Sequence, residues 1–362
     1  MTSALPGMPT TVVPPAAAAV ESVSFGWERP RLLELASRAS FGRRVRVSGL
    51  KIGILDDYQD VALSLADWSS LDANIEVFTA PFADADEVVK RLADFDVLVA
   101  MRERTRFPAD VLSRLRSLKL LVSTGPINPA IDVKAARELG IVVCGTGYSS
   151  YPTAELTWAL ILAASRNLPA QVQSMRTGGW QLGVGTSVRG QTLGLLGLGN
   201  VGQHVAAFAH AFGMRVIAWS PNLTAEKAAE HNVTAVSKEQ LFTEADVLSI
   251  HLVLSERSRG LVGTAELAVM KPTSILVNTS RGPIVDESAL VDALQRHVVT
   301  RAAIDVYETE PLPADHPLRS LDNALLTPHI GYVTQQLYSV FYEDAVENVA
   351  AFVSGSPTRV MD

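Results

Sequence analysis

Three polar residues in the second half of the chain could together move a proton beside a bound carboxylate: Arg281 in VNTSRGPIVDE, Glu310 in AAIDVYETEP and His329 in LLTPHIG. A guanidinium presents a planar fork of donors that can hold a carboxylate bidentately and polarise an adjacent carbonyl. An imidazole exchanges protons close to neutral pH, and a carboxylate beside it fixes its orientation. Each residue alone has a plainer reading: Arg281 as a surface charge, Glu310 as a solvated loop carboxylate, His329 as a structural histidine. Position argues for chemistry. Each follows a short apolar run, which puts all three just past the carboxyl ends of strands, where they can converge across one cleft. Among the remaining histidines, His204, His210, His231, His297 and His316 fall on helices or polar loops and read as solvated. His251, near a strand end, reads either as a satisfied core histidine or as part of a cofactor pocket.

The element that must position this set runs from Gln191 to Ser220, QTLGLLGLGNVGQHVAAFAHAFGMRVIAWS. An apolar run, Leu193 to Leu196, has the character of a buried parallel strand. It turns at Gly197, Gly199 and Gly202 into a helix ending near Gly213, and a second strand, Met214 to Trp219, follows. Strand, glycine turn, helix and strand within about thirty residues is the context of a dinucleotide site. The first glycine permits the tight turn, the second lets backbone N–H groups approach a pyrophosphate, and the third lets helix and strand pack closely. The pyrophosphate would sit on the positive end of the helix. NAD or NADP is the cofactor expected, with Ser220 and Thr279 as further candidate contacts at strand ends.

The rest of the chain alternates strand and helix. KIGILD (51–56), NIEVFTA (74–80), DVLVAM (96–101), LKLLVST (118–124) and IVVCGT (141–146) read as strands separated by helical stretches. Five βα units imply a doubly wound parallel sheet of flavodoxin-like size, with the loops at 56–59, 102–105 and 124–128 along its functional edge. Tyr151 to Leu168 reads as a helix leading to the second sheet, and Gly178 to Gly190 as an exposed arm. That sheet continues through 247–254, 274–280, 301–307 and 324–329. A last helix, Tyr338 to Val353, is expected to return to the first domain. The fold class is therefore α/β, with two doubly wound parallel-sheet domains: a flavodoxin-like substrate domain over 50–150 plus 332–362, and a Rossmann nucleotide-binding domain over 151–331. Residues 1–49, rich in proline and alanine, read as a disordered extension.

Composition narrows the class. With 48% hydrophobic and 19% charged residues, the 362-residue chain suits an ordinary two-domain protein. A net charge of -7, with no basic tract, argues against a nucleic-acid partner. No apolar run reaches membrane-spanning length, so no membrane partner is expected. The single cysteine, Cys144, rules out an internal disulfide framework or cysteine-rich metal site and favours a cytoplasmic, reducing setting.

Taken together, GLGNVG, VNTSRGPIVDE, AAIDVYETEP and LLTPHIG resemble the D-isomer-specific 2-hydroxyacid dehydrogenases, near the phosphoglycerate dehydrogenase and hydroxypyruvate reductase branch, over about residues 50 to 350. The resemblance implies hydride transfer between NAD(P)H and a 2-oxo acid or D-2-hydroxy acid. It makes Arg281 the carboxylate-binding residue, His329 the acid/base and Glu310 its partner. Asp305 would hold the nicotinamide amide, Asn200 and Val201 would contact the pyrophosphate, and a homodimer would form through the nucleotide domain. A rival on the same fold is a nucleotide-sensing corepressor. The chain departs from the family pattern where Ser220 replaces an acid after the second strand and where Gly331-Tyr332 follows the histidine. It departs again at GTGYSSYPT (145–153) and in the loop Thr124 to Asp132, which is longer than usual. The last three departures are expected to border the substrate pocket. No regulatory domain is expected after Asp362.

Overall fold

A computed structural model describes residues 49–361. The expected extension lies outside the described residues apart from Gly49. The first sheet contains β1 (Lys51–Ile54), β2 (Asn74–Val77), β3 (Val97–Ala100), β4 (Leu120–Ser123) and β5 (Val142–Cys144), all parallel, in the order β2-β1-β3-β4-β5. This is the flavodoxin-like arrangement read from the sequence. Every residue of β3 and β4 is buried, as a parallel sheet covered on both faces requires. Alternation splits these residues between two cores. Val97, Val99, Leu120 and Val122 face one cluster, while Leu98, Ala100 and Leu121 face the other.

The second sheet contains β6 (Thr192–Leu196), β7 (Arg215–Trp219), β8 (Thr234–Ala235), β9 (Val247–Ile250), β10 (Ile275–Asn278), β11 (Arg301–Ile304) and β12 (Ala324–Leu326). Their order is β12-β11-β10-β9-β6-β7-β8, again parallel, which is the doubly wound 3-2-1-4-5-6 pattern with one added strand. Winding reverses between β6 and β9 here, and between β1 and β3 in the first sheet. Both crevices beyond those carboxyl ends are places where such sheets bind ligands.

Several element limits differ from expectation for physical reasons. The strand expected over 324–329 stops at Leu326: Pro328 has no N–H to extend a ladder, and His329 is left-handed at φ 53°. The strand expected over 247–254 stops at Ile250, and Val253 beyond it is exposed. The helix expected through Leu168 ends at Arg166, because Asn167 turns left-handed at φ 51° and a separate helix, Leu168–Arg176, begins. The final helix starts earlier than expected, at Gln335, because the Thr334 side chain accepts the Leu337 N–H and so caps it. Its residues Leu337, Phe341, Tyr342, Ala345 and Val349 join the core of the first sheet, next to Ile52, Val99 and Val122.

Phe341 is 0% exposed in that core. Phe341→Ala should therefore cost about 3–5 kcal/mol in urea unfolding. A loss below about 1 kcal/mol would mean that the helix contributes little to the first sheet's stability.

Candidate active site

At the switch point of the second sheet, the three glycines have distinct surroundings. Gly197 sits at φ 106°, and a Cβ there would lie 2.7 Å from the His251 carbonyl oxygen. A Cβ on Gly202 would lie 2.5 Å from the Gly197 carbonyl oxygen, so this position brings the helix down onto the turn. Around Gly199 there is open space. Gly199 also begins the helix Asn200–Ala211 without a side-chain cap. The first-turn N–H groups of Asn200, Val201 and Gly202 therefore remain for an anion. Two crowded glycines beside an open one form a cradle that fits the pyrophosphate of NAD(P).

Ser220 and His251, two further candidates for the cofactor pocket, lie beside this turn. Ser220 directly follows β7, and the neighbouring Trp219 carbonyl accepts the Gly197 N–H at 2.9 Å. The His251 N–H bonds the Leu196 carbonyl at 2.8 Å, while its Nε2 lies 2.9 Å from the Ser249 hydroxyl. Desolvation pushes the His251 imidazole down to about 3, so the ring is neutral at ordinary pH. Thr279 is buried, and its hydroxyl is 2.7 Å from that of Thr157 on the helix Tyr151–Arg166, so its side chain ties strand to helix.

The predicted acid/base residues meet. His329 Nδ1 lies 2.6 Å from Glu310 Oε2. Glu310 is acceptor-only when ionised, so Nδ1 carries the proton. The other oxygen, Glu310 Oε1, accepts the Tyr307 N–H at 2.9 Å, which fixes the carboxylate's direction. Asp305, fully buried, holds the histidine loop from behind. Its Oδ1 accepts the Thr327 hydroxyl at 2.6 Å and the Ile330 N–H at 2.9 Å, and its Oδ2 accepts the Gly331 N–H at 2.9 Å. Burial raises the Asp305 carboxyl, and these donors and the nearby His329 pull it back toward the ionised form.

Arg281 is presented by a turn whose anchors the sequence reading did not single out. Asn278, buried at the end of β10, donates to the Arg281 carbonyl and accepts from the Ser280 N–H, both at 3.0 Å. Gly282 allows a very close approach, since a Cβ there would lie 2.0 Å from the Tyr307 carbonyl carbon. The arginine turn is thereby pressed against the backbone that leads to Glu310. Such contacts have no local sequence signature beyond the glycine itself.

Across the cleft, loops at the switch point of the first sheet complete the surroundings. Glu103 Oε1 lies 2.6 Å from Arg281 Nη2 and 3.6 Å from Arg102 Nη2. Burial works to raise the Glu103 carboxyl, but Arg102 and Arg281 together hold it below its ordinary value. Arg104 donates to the Asp56 carbonyl at 2.6 Å and lies over the rings of Tyr58 and Tyr332, at 4.2 and 5.6 Å. Tyr332 in turn meets the His329 ring edge-on, with centroids 5.5 Å apart. Tyr148 of the 145–153 segment lies under Arg102 at 5.2 Å. The departures at Tyr332 and at 145–153 thus contact the residues that surround the predicted acid/base and its arginine. Glu103 was hidden because RER in a loop reads as solvated charge. Among the described residues, no group of His, Cys, Asp and Glu could hold a metal.

A dinucleotide cradle beside a histidine–carboxylate pair and an arginine belongs to an NAD(P)-dependent oxidoreductase. The family model for the D-isomer specific 2-hydroxyacid dehydrogenase NAD binding domain matches residues 158–331. Over 260 residues the chain is 41% identical to a glyoxylate reductase from Aeropyrum pernix, covering 69% of this chain and 78% of that protein. It is 39% identical over 265 residues to a D-3-phosphoglycerate dehydrogenase from Methanocaldococcus jannaschii, covering 72% of this chain but only 50% of that longer relative. The crystal structure of a phosphoglycerate oxidoreductase from Vibrio cholerae matches with a TM-score of 0.80 and 40% identity, over 85% of this chain and 100% of that one. The chain belongs to the D-isomer-specific 2-hydroxyacid dehydrogenase family.

Because a methyl group on Gly282 would overlap backbone rather than a movable side chain, Gly282→Ala should cost about 3 kcal/mol or more. Denaturant unfolding measures this directly. A cost under about 1 kcal/mol would mean that the turn can open without consequence.

Proposed function

We propose that the chain reduces a small 2-oxo acid to the D-2-hydroxy acid, and catalyses the reverse, with Arg281, Glu310 and His329 as its catalytic residues. The observation behind this reading is the 2.6 Å contact between His329 Nδ1 and Glu310 beside Arg281. When bound, the nicotinamide supplies or accepts the hydride at its C4. Arg281 has five N–H donors, of which one reaches the Ser280 carbonyl and one reaches Glu103. Three remain, enough to grip a substrate carboxylate bidentately. With Nδ1 committed to Glu310, His329 Nε2 gives its proton to the carbonyl oxygen during reduction and takes it back during oxidation. Glu310 stabilises the positive charge that the ring bears before that transfer. Gly197, Gly199, Asn200, Val201 and Gly202 hold the pyrophosphate, Ser220 the adenosine ribose, and Asp305 the nicotinamide amide through acceptor capacity left beyond its three loop bonds.

We further propose two domains, 50–150 plus 332–362 for substrate and 151–331 for nucleotide, and a homodimer. Support for the dimer comes from Leu168, Val172 and Met175, exposed at helical spacing on one side of the helix Leu168–Arg176, and from exposed Trp180, Leu182 and Val184 just after it. So many exposed apolar side chains close together in the chain suit a second copy. The single cysteine, Cys144, is buried and free, in keeping with a cytoplasmic setting. Among the described residues, no helix is long and apolar enough to cross a membrane.

His329→Ala and Arg281→Ala should each lower kcat/KM by about 10²-fold or more, with NADH affinity changed less than about threefold. Glu310→Gln should lower it about ten- to a hundredfold, the worth of a hydrogen bond to a charged group. More than about a tenth of native activity in either alanine variant would remove that residue from the mechanism.

Ser220 neither repels a 2′-phosphate nor accepts from the ribose diol as strongly as an acid would. Lys238, the first residue of the helix Lys238–Glu244 after β8, is paired with Glu266 at 2.7 Å and so is not free to attract the phosphate. The ratio of kcat/KM for NADH and NADPH, measured with one oxo acid, should therefore stay within about tenfold. A hundredfold preference for either cofactor would show that a residue outside Ser220 reads the ribose.

A further inference from the structure

The proposed reaction leaves Glu103 unused, although it touches the arginine expected to bind substrate. Its carboxylate stands between two guanidiniums, 2.6 Å from Arg281 and 3.6 Å from Arg102, and is only 21% exposed. The two arginines come from different sheets, so the glutamate closes a bridge across the cleft. A bridge of this kind could be a mere latch, or it could set the charge of the pocket.

The charge count favours the second role. Three guanidiniums surround the cleft: Arg102, Arg104 and Arg281. Glu103 bridges two of them, Arg102 and Arg281, while Arg104 lies beside the buried Asp56, whose carboxylate accepts the Thr105 hydroxyl at 2.6 Å. Within that bridge two guanidiniums face one carboxylate, which leaves one net positive charge and suits one carboxylate on the substrate. A second anionic group would enter beside Glu103, and like charges in a partly desolvated cleft are strongly discouraged.

We propose that Glu103 is a specificity-determining residue that restricts this enzyme to 2-oxo acids with a single negative charge, by neutralising Arg102 and repelling a second anion. The inference rests on the oxo-acid reading above and deepens it. The relatives' names span both kinds of acid, since glyoxylate carries one negative charge and a phosphoglycerate carries more. The negative element between the arginines is what would separate them, because specificity needs repulsion of the wrong ligand as well as attraction of the right one.

The test compares the full chain with Glu103→Gln and Glu103→Asp, using glyoxylate, pyruvate and hydroxypyruvate against oxaloacetate and 3-phosphohydroxypyruvate. The native enzyme should favour its best singly charged acid over either multiply charged acid by at least about tenfold in kcat/KM. In Glu103→Gln, that preference should shrink by about tenfold or more, chiefly through a lower KM for the multiply charged acids. Glutamine still accepts a hydrogen bond from Arg281, so a latch would survive this change while a charge effect would not. Glu103→Asp keeps the charge and should keep the preference to within about threefold. The proposal is overturned if the native enzyme prefers the multiply charged acids, if the glutamine variant discriminates as the native enzyme does, or if aspartate loses discrimination as fully as glutamine. Failure of the native enzyme to reduce any of the five acids would instead overturn the oxo-acid reading, and with it this proposal.

Discussion

The buried carboxylate of Asp305 is the constraint on which the site depends. The chain leaving β12 must turn an imidazole back over the cleft before entering the final helix, and it does so through a left-handed His329. A non-glycine residue in that conformation costs about 1–2 kcal/mol. Against this stand three hydrogen bonds to one carboxylate, from Thr327, Ile330 and Gly331. Bonds to charged groups are worth about 1.5–3 kcal/mol each, so together they outweigh both the strain and much of the cost of burying Asp305. The result is a histidine held at hydrogen-bond distance from Glu310 before any ligand arrives, which is the preorganisation that catalysis by charge and proton transfer requires.

Around that loop, work is divided between the two sheets by the same topological rule. The switch point of the second sheet supplies the glycine cradle and the neutral His251. Its neighbouring strands β10, β11 and β12 supply Arg281, Glu310 and His329. The first sheet's switch point contributes Asp56, Arg102, Glu103 and Arg104, which bear on the charge and shape of what enters. Gly282 joins the layers of this arrangement, since only a residue without Cβ lets the arginine turn lie against the backbone after Tyr307.

Much of this was legible in the sequence because parallel sheets write themselves as short buried runs and the glycine turn has a fixed grammar. The doubly wound class of both sheets follows from those runs and the cradle from that turn, while the meeting of His329 with Glu310 follows from reading functional residues at strand ends. Tertiary packing hid the rest. The strand β8 is two residues long, too short for any periodicity to show. The helix Leu168–Arg176 went unread apart from its first residue, because the left-handed Asn167 that separates it from the preceding helix has no unique signature. Glu103 sits between two arginines in sequence, and nothing local tells that its partner across the cleft is Arg281, 178 positions away. Asp305 was expected to serve a cofactor, whereas its oxygens are first seen holding a backbone loop, a role that sequence spacing alone does not express.

The claim that Asp305 acts by positioning His329 is tested most directly by a double-mutant cycle on kcat/KM with Asp305→Asn and His329→Ala. Asparagine has one acceptor oxygen, so its amide nitrogen must face a backbone N–H or the Thr327 hydroxyl. Asp305→Asn should cost about 10²-fold or more when His329 is present, and at least about tenfold less than that when His329 is already alanine, where only the bond to the nicotinamide amide is lost. An equal cost in both backgrounds would show that Asp305 acts independently of the histidine, and would contradict the account.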